Sequence, residues 1–187
     1  MVALSDLWLP VLLSTVFVFI ASSVLHMCLP IHVSDYAKLP AEDDLMQAMR
    51  DKGITRGSFV FPFPPSMKEM GSPEMLEKYG KGPVGFMTIL PNGPPNMGKS
   101  LSLWFLYTAI VSFFVGYLGS FTLAGGATFS EVFRFTATVS ILPYCVSNIV
   151  DSVWKGQSWS VMFKFIFDGF IYSMVTAAAF GWLWPGA

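Results

Sequence analysis

Cysteine, histidine and charge are all scarce in this chain of 187 residues: it has two cysteines, two histidines, and Asp, Glu, Lys and Arg together make up only 12%. Each shortage excludes something. Cys28 and Cys145 both fall inside long apolar windows, so no disulfide framework is indicated. A formal net charge of −1 leaves no electrostatic footprint for nucleic acid. No nucleophile, base and orienting group can be read off as a set, which disfavours an enzyme. Also missing is a positively charged stretch ahead of the first apolar window. That window therefore reads as a permanent helix rather than a secretory leader.

Apolar residues, by contrast, fill half of the chain. They gather in windows 7–29, 101–123, 129–150 and 159–184, each long enough to cross a hydrocarbon core that needs roughly 20 residues. The third is the weakest, because Glu131 and Arg134 sit near its start. The expected fold class is an all-α membrane protein. It is a four-transmembrane-helix bundle with a small α+β extramembrane cap, loop 30–100, between helices 1 and 2. Lys38, Arg50, Lys52, Arg56, Lys68, Lys78, Lys81, Lys99 and Lys155 share one side of that topology. The positive-inside rule then puts the cap in the cytoplasm and both termini outside a bacterial inner membrane.

Punctuation organises the loop. PAEDDLMQAMRDK, residues 40–52, has a proline in its first turn, early acids, late bases and Gly53 beyond, the signals of a short helix. A second helix, near 72–79, has Ser72 as N-cap and Gly80 as its stop. Segments 57–61 and 84–90 read as strands, the first ended by prolines at 62, 64 and 65. In the third window Thr128 and Glu131 have the spacing of a capping box.

Several patterns invite chemistry. GPPNMGKS, residues 93–100, fits the phosphate-loop pattern through Gly93, Gly98, Lys99 and Ser100. Pro94 and Pro95 have no N–H to offer a phosphate, and the helix that follows enters lipid, so no nucleotide is expected. HMCLPIH holds both histidines and one cysteine, so His26, Cys28 and His32 form a possible copper, zinc or haem set. Positions 26 and 28 lie about 200° apart on a helix and cannot easily face one ion. Pro30 breaks that helix, after which His32 can fold back. The loop methionines, among them Met67 and Met70, read as core filling rather than a soft-metal site. No cofactor is expected from these patterns.

The deepest polar groups lie in the last two windows. Lys164, Asp168, Tyr172 and Thr176 repeat every four residues, while Ser140, Tyr144, Ser147, Asn148 and Asp151 form a stripe on the preceding helix. Asp168 falls about 14 Å below Trp159, near the bilayer centre. An ionisable group at that depth marks a functional-site candidate by default. With no second deep acid or histidine in view, a Lys164–Asp168 pair holding two helices in register is the first expectation. Ser112, Gly116 and Ser120 form a small-residue stripe for packing, within the chain or in a homodimer seam.

The acidic helix followed by FVFPFP, then GPVGFMTILPNGPPNMGKS, then DSVWKGQSW leading into FKFIFDGF together resemble small uncharacterised bacterial multi-pass inner-membrane proteins. That resemblance implies a membrane topology and no mechanism. Three functions follow from the residues. The first is a non-catalytic accessory or scaffolding protein, partnered by the bilayer and by copies of itself or other membrane subunits. The second is a proton- or ion-conducting oligomer using Asp168. The third is a metal or haem redox protein using His26, Cys28 and His32.

Overall fold

The computed structural model describes residues 1–186, which are mostly helical. In chain order the helices are α1 (Trp8–Ser23), α2 (Glu42–Asp51), α3 (Pro73–Lys81), α4 (Met97–Thr122), α5 (Phe129–Tyr144), α6 (Ile149–Lys155) and α7 (Trp159–Leu183). The strands β1 (Gly57–Phe61) and β2 (Gly85–Ile89) form one antiparallel pair. The chain divides into two compact units. One holds residues 1–35, 96–152 and those from 157 on; the other holds 36–95 with 153–156.

Among the described residues, three helical stretches are long and apolar enough to cross a membrane: Leu4–Cys28, Met97–Thr122 and Trp159–Leu183. The window at 129–150 is not continuous. Pro143 has no N–H for the ladder, the chain leaves regular helix at Cys145, and a 3-10 turn over Val146–Asn148 leads into α6. The 16 residues of α5 rise about 24 Å, short of a hydrocarbon core of roughly 30 Å.

In the first unit α1 packs on α4 and α7, and α5 packs on α7 and α4, closing a ring of four helices. Its core mixes apolar side chains such as Leu7, Val18, Val115, Val132 and Phe180 with many small hydroxyls. Buried side chains include Ser14, Thr15, Ser22, Thr108, Ser112, Thr136, Ser140, Ser173 and Thr176. Exposed ones include Phe105, Phe113, Phe114 and Phe121 on α4 and Phe163, Phe167, Phe170 and Trp182 on α7. Most buried hydroxyls bond to a carbonyl three or four residues back, as Thr15, Thr136, Ser140 and Thr176 do at 2.7–2.8 Å. They are thereby satisfied without water. Such an exterior, continuous and apolar, is compatible with a membrane protein.

Small residues set the helix spacings. A Cβ at Gly116 would sit 3.1 Å from Val11 Cγ2, so the Ser112, Gly116 and Ser120 stripe faces α1 and α7 of its own chain. A Cβ at Gly169 would run into the Tyr144 carbonyl oxygen, so glycine is what lets α7 come this close to the α5 backbone. The capping box forms at the start of α5, with Thr128 and Glu131 each accepting from the other's backbone N–H.

In the second unit β1 and β2 pair with Phe59 opposite Met87 and Val60 opposite Phe86. Helix α3 starts where Ser72 accepts from Met75 N and runs to Lys81, so Gly82, with φ +60°, closes it rather than Gly80. Helix α2 begins at Glu42, after Ala41, rather than at the proline.

Candidate functional site

One end of the first unit gathers most of the chain's unusual polar groups. The path starts with a break in helix geometry. After α1 the chain makes one wide turn over Val24–Cys28, then extends at Leu29 (φ −104°, ψ 140°), as a residue preceding proline must. A 3-10 turn over Pro30–His32 then swings the second histidine back over the first. The two imidazoles stack with centroids 4.2 Å apart and planes 23° from parallel, and the Phe165 ring lies against both.

Asp168 on α7 meets this pair. Its Oδ2 lies 2.8 Å from His32 Nε2 and 3.5 Å from His26 Nε2, and its side chain is only 1% exposed. The 2.8 Å approach lacks the alignment of a hydrogen bond. His32 Nε2 and both Asp168 oxygens are therefore buried without a hydrogen-bond partner. Three ligand-type atoms, one each from His26, His32 and Asp168, lie within 4.8 Å of one another. Buried polar atoms left unpaired are costly, so their convergence on one point calls for an explanation.

His32 is held from its other side. Its Nδ1 lies 2.6 Å from Asp35 Oδ2, where the ring nitrogen donates and leaves Nε2 facing Asp168. Asp35, 3% exposed, also accepts from Lys164 Nζ at 2.6 Å, and Ser34 Oγ accepts from the same ammonium at 2.9 Å. Burial pushes the Asp35 carboxyl up, yet hydrogen bonds from Lys164 and His32, reinforced by their charges, hold it below the usual carboxylate range. Lys164 and Asp35 cancel each other's charge. Asp168 thus remains the one formal charge facing the histidines from α7.

Beside the cluster is a cavity of about 710 Å³. His26 and Asp168 form part of one wall, and Trp104, Tyr107, Phe165 and Leu101 supply much of the rest. Trp104 is fixed by donating its Nε1–H to Ser22 Oγ at 2.8 Å, and Tyr107 by donating to the Pro143 carbonyl at 2.9 Å.

The structure rearranges several expected sets. Lys164 does not pair with Asp168: one helical turn nearer the start of α7, it reaches Asp35 beyond α1 instead. Cys28 is exposed and stands apart from His26, His32 and Asp168, the described residues close enough to share an ion. Tyr144 and Tyr172 meet edge to face at 5.7 Å, their hydroxyls buried without partners, near Asp168 on the cavity wall. Asn148 turns back to donate to the Tyr144 carbonyl at 2.7 Å, and Asp151 lies on α6. Asn96 caps α4 by accepting from Lys99 N at 2.9 Å, which leaves the Gly98, Lys99 and Ser100 end of GPPNMGKS inside the first turn of a helix. Asp35 went unnoticed in the sequence. Its signal was His-x-x-Asp directly after a helix-ending proline, a spacing at which a turn can join the two side chains.

No family model, curated protein or solved structure matches this chain. The site rests on its own geometry.

Proposed function

We propose that this chain is a multi-pass integral membrane protein that holds a divalent transition-metal ion at His26, His32 and Asp168. The observation that carries the reading is the convergence of three ligand atoms, on an exposed, a partly buried and a buried side chain, with no hydrogen bond at the His32 and Asp168 atoms. Bonds of about 2.0–2.2 Å to one ion put neighbouring ligand atoms roughly 3 Å apart, close to the 2.8 and 3.5 Å found here. Two imidazoles and one carboxylate suit a borderline ion such as iron, cobalt or zinc, and they leave further positions open. Asp35 supplies what a ligating histidine commonly has: a carboxylate on its other nitrogen that fixes tautomer and ring orientation. His26, 38% exposed, has room to turn its ring onto the ion.

The same reading takes residues 129–150 as a fourth crossing and the unit around residues 36–95 as a cytoplasmic cap. The support is the cation distribution and the place of α5 in the helix ring. An accessory or scaffolding role accounts for Asp168 as an ion-pair partner of the histidines but leaves its oxygens without hydrogen bonds, so it ranks below metal binding.

Metal analysis of protein purified in nanodiscs and loaded with Co²⁺, Zn²⁺ or Fe²⁺ tests the proposal. A single ion per chain is expected, lost in Asp168→Ala and retained in Cys28→Ser. Wild type that holds no more metal than Asp168→Ala overturns it. A second reading, proton conduction, is favoured by the close series Lys164, Asp35, His32, Asp168, with contacts of 2.6–2.8 Å of which the last needs a small ring rotation to become a hydrogen bond. Proton flux in liposomes that falls in Asp168→Asn and survives in Asp168→Glu, in protein free of metal, would select it.

A further inference from the structure

The cavity next to Asp168 has features that the metal site alone does not use. Its volume of about 710 Å³ lies in the range of pockets that enclose a small organic molecule, roughly 300–1,000 Å³. All four helices of the ring contribute to it: Ser22 and Met27 from the α1 side, Leu101 and Trp104 from α4, Pro143 from α5 and Phe165 from α7. Its exposed lining is mostly apolar, with Met27, Met97 and Leu101 beside His26 and Ser147. Such a lining offers more to a molecule dissolved in lipid than to a wholly polar one.

The polar end of the cavity has a definite charge. Lys164 and Asp35 neutralise each other. A divalent ion on two neutral imidazoles and the Asp168 carboxylate would therefore keep a net single positive charge. In a low-dielectric wall that charge favours an anionic oxygen donor over a neutral one. Resting on the metal-site reading above, we infer that the cavity binds a single-chain lipid-phase molecule with an acidic oxygen head, a carboxylate or its like. The head completes the metal's coordination, and the chain lies against Trp104, Leu101 and Phe165.

The test compares two probes with the same head, acetohydroxamate and decanohydroxamate, by their effect on the visible absorption of Co²⁺-loaded protein in nanodiscs. Partitioning of the decyl chain into the bilayer affects every variant equally, so the decisive comparison is wild type against Leu101→Trp, which fills the cavity away from the metal ligands. The decyl probe is expected to bind roughly tenfold or more weakly to Leu101→Trp. The acetyl probe should titrate alike in both. Met97→Trp, at the mouth, provides the same comparison should Leu101→Trp fail to fold. Equal decyl titrations in wild type and filled variants overturn the lipid-substrate inference while leaving the metal site standing. A wild-type protein with no Co²⁺ absorption overturns the metal site, and the inference with it.

Discussion

Helix α7 joins two regions built on opposite rules. Towards its C-terminal end large side chains fill the space against glycines. Phe180 is fully buried against Gly116, Phe129 lies over Gly181, and Trp184 packs on Gly119 while donating to the Ala124 carbonyl at 2.9 Å. Its hydroxyls are satisfied locally, Ser173 and Thr176 each bonding a carbonyl one turn back at 2.8 Å. Towards the N-terminal end the same bundle keeps a cavity, an acid without hydrogen bonds and two buried tyrosine hydroxyls without partners. In lipid, where polar groups must find partners within the protein, the first region is what stability requires. The second departs from it, and such departures mark functional sites. The division of labour is testable: changes in one region should leave the other's property intact.

The largest effect is expected at Phe180. Truncation to alanine should cost about 3 kcal/mol, the low end for such a change because lipid rather than water is the competing solvent. Denaturation in mixed micelles measures it, and metal content per folded chain should not change. Loss of metal in the folded fraction would show that the two regions are not separable. Next comes Gly169→Ala, at the seam between them. Its new methyl meets the Tyr144 carbonyl oxygen, a backbone atom that cannot swing aside. A cost of roughly 2 kcal/mol is expected, with a weakened metal site because Asp168 is the adjacent residue. Wild-type stability in this variant would mean that α5 and α7 can separate at low cost.

The two regions were not equally legible in the sequence. Packing was readable, because small residues at intervals of four and a capping box are local patterns: Ser112, Gly116, Ser120, Thr128 and Glu131 need no knowledge of partners. The three long apolar stretches and the short strands were readable for the same reason. The polar centre was not. Asp168 stood out by depth, and His26 and His32 by rarity, yet nothing in the spacing says that residues 32 and 168 touch. Lys164 at four residues from Asp168 offered an easier partner. It was displaced because the turn over Pro30–His32 brings Asp35 within its reach. The third window was less legible: 129–150 is apolar enough, but Pro143 and the turn at Val146–Asn148 divide it between α5 and α6.

Asp35 sharpens the comparison at intermediate scale, because it serves the centre without touching the proposed ion. Replacement by asparagine removes the acceptor that orients His32 and is expected to weaken metal affinity about 10–100-fold, by Co²⁺ titration. It should also change the pH profile of stability. The Asp35 carboxyl is held below its unfolded value of about 3.9, so its ion pair stabilises the fold in full above that value. The contribution fades as pH falls through the lowered folded value. Thermal melts of wild type and Asp35→Asn should therefore differ at pH 6–7, roughly two units or more above that reference, and converge at the acid end. Parallel curves at every pH would show that the Lys164–Asp35 pair adds nothing.

The smallest expected effect discriminates the two regions most directly. Thr176 and Tyr172 are neighbours on one face of α7, and both are buried. Thr176 donates to the Tyr172 carbonyl, while the Tyr172 hydroxyl has no hydrogen-bond partner. Thr176→Val trades a satisfied hydroxyl for a methyl, leaves no donor orphaned and should cost under about 1 kcal/mol. Tyr172→Phe removes an oxygen whose desolvation is uncompensated in the free protein, so it should be neutral or stabilising by up to about 1 kcal/mol. Should Tyr172→Phe instead destabilise by as much as Thr176→Val, its hydroxyl would be satisfied, and the unpaired polar surface of the centre would shrink to Asp168, His32 and the Tyr144 hydroxyl. Should it stabilise the free protein and weaken decanohydroxamate binding together, the hydroxyl would be one that waits for a ligand.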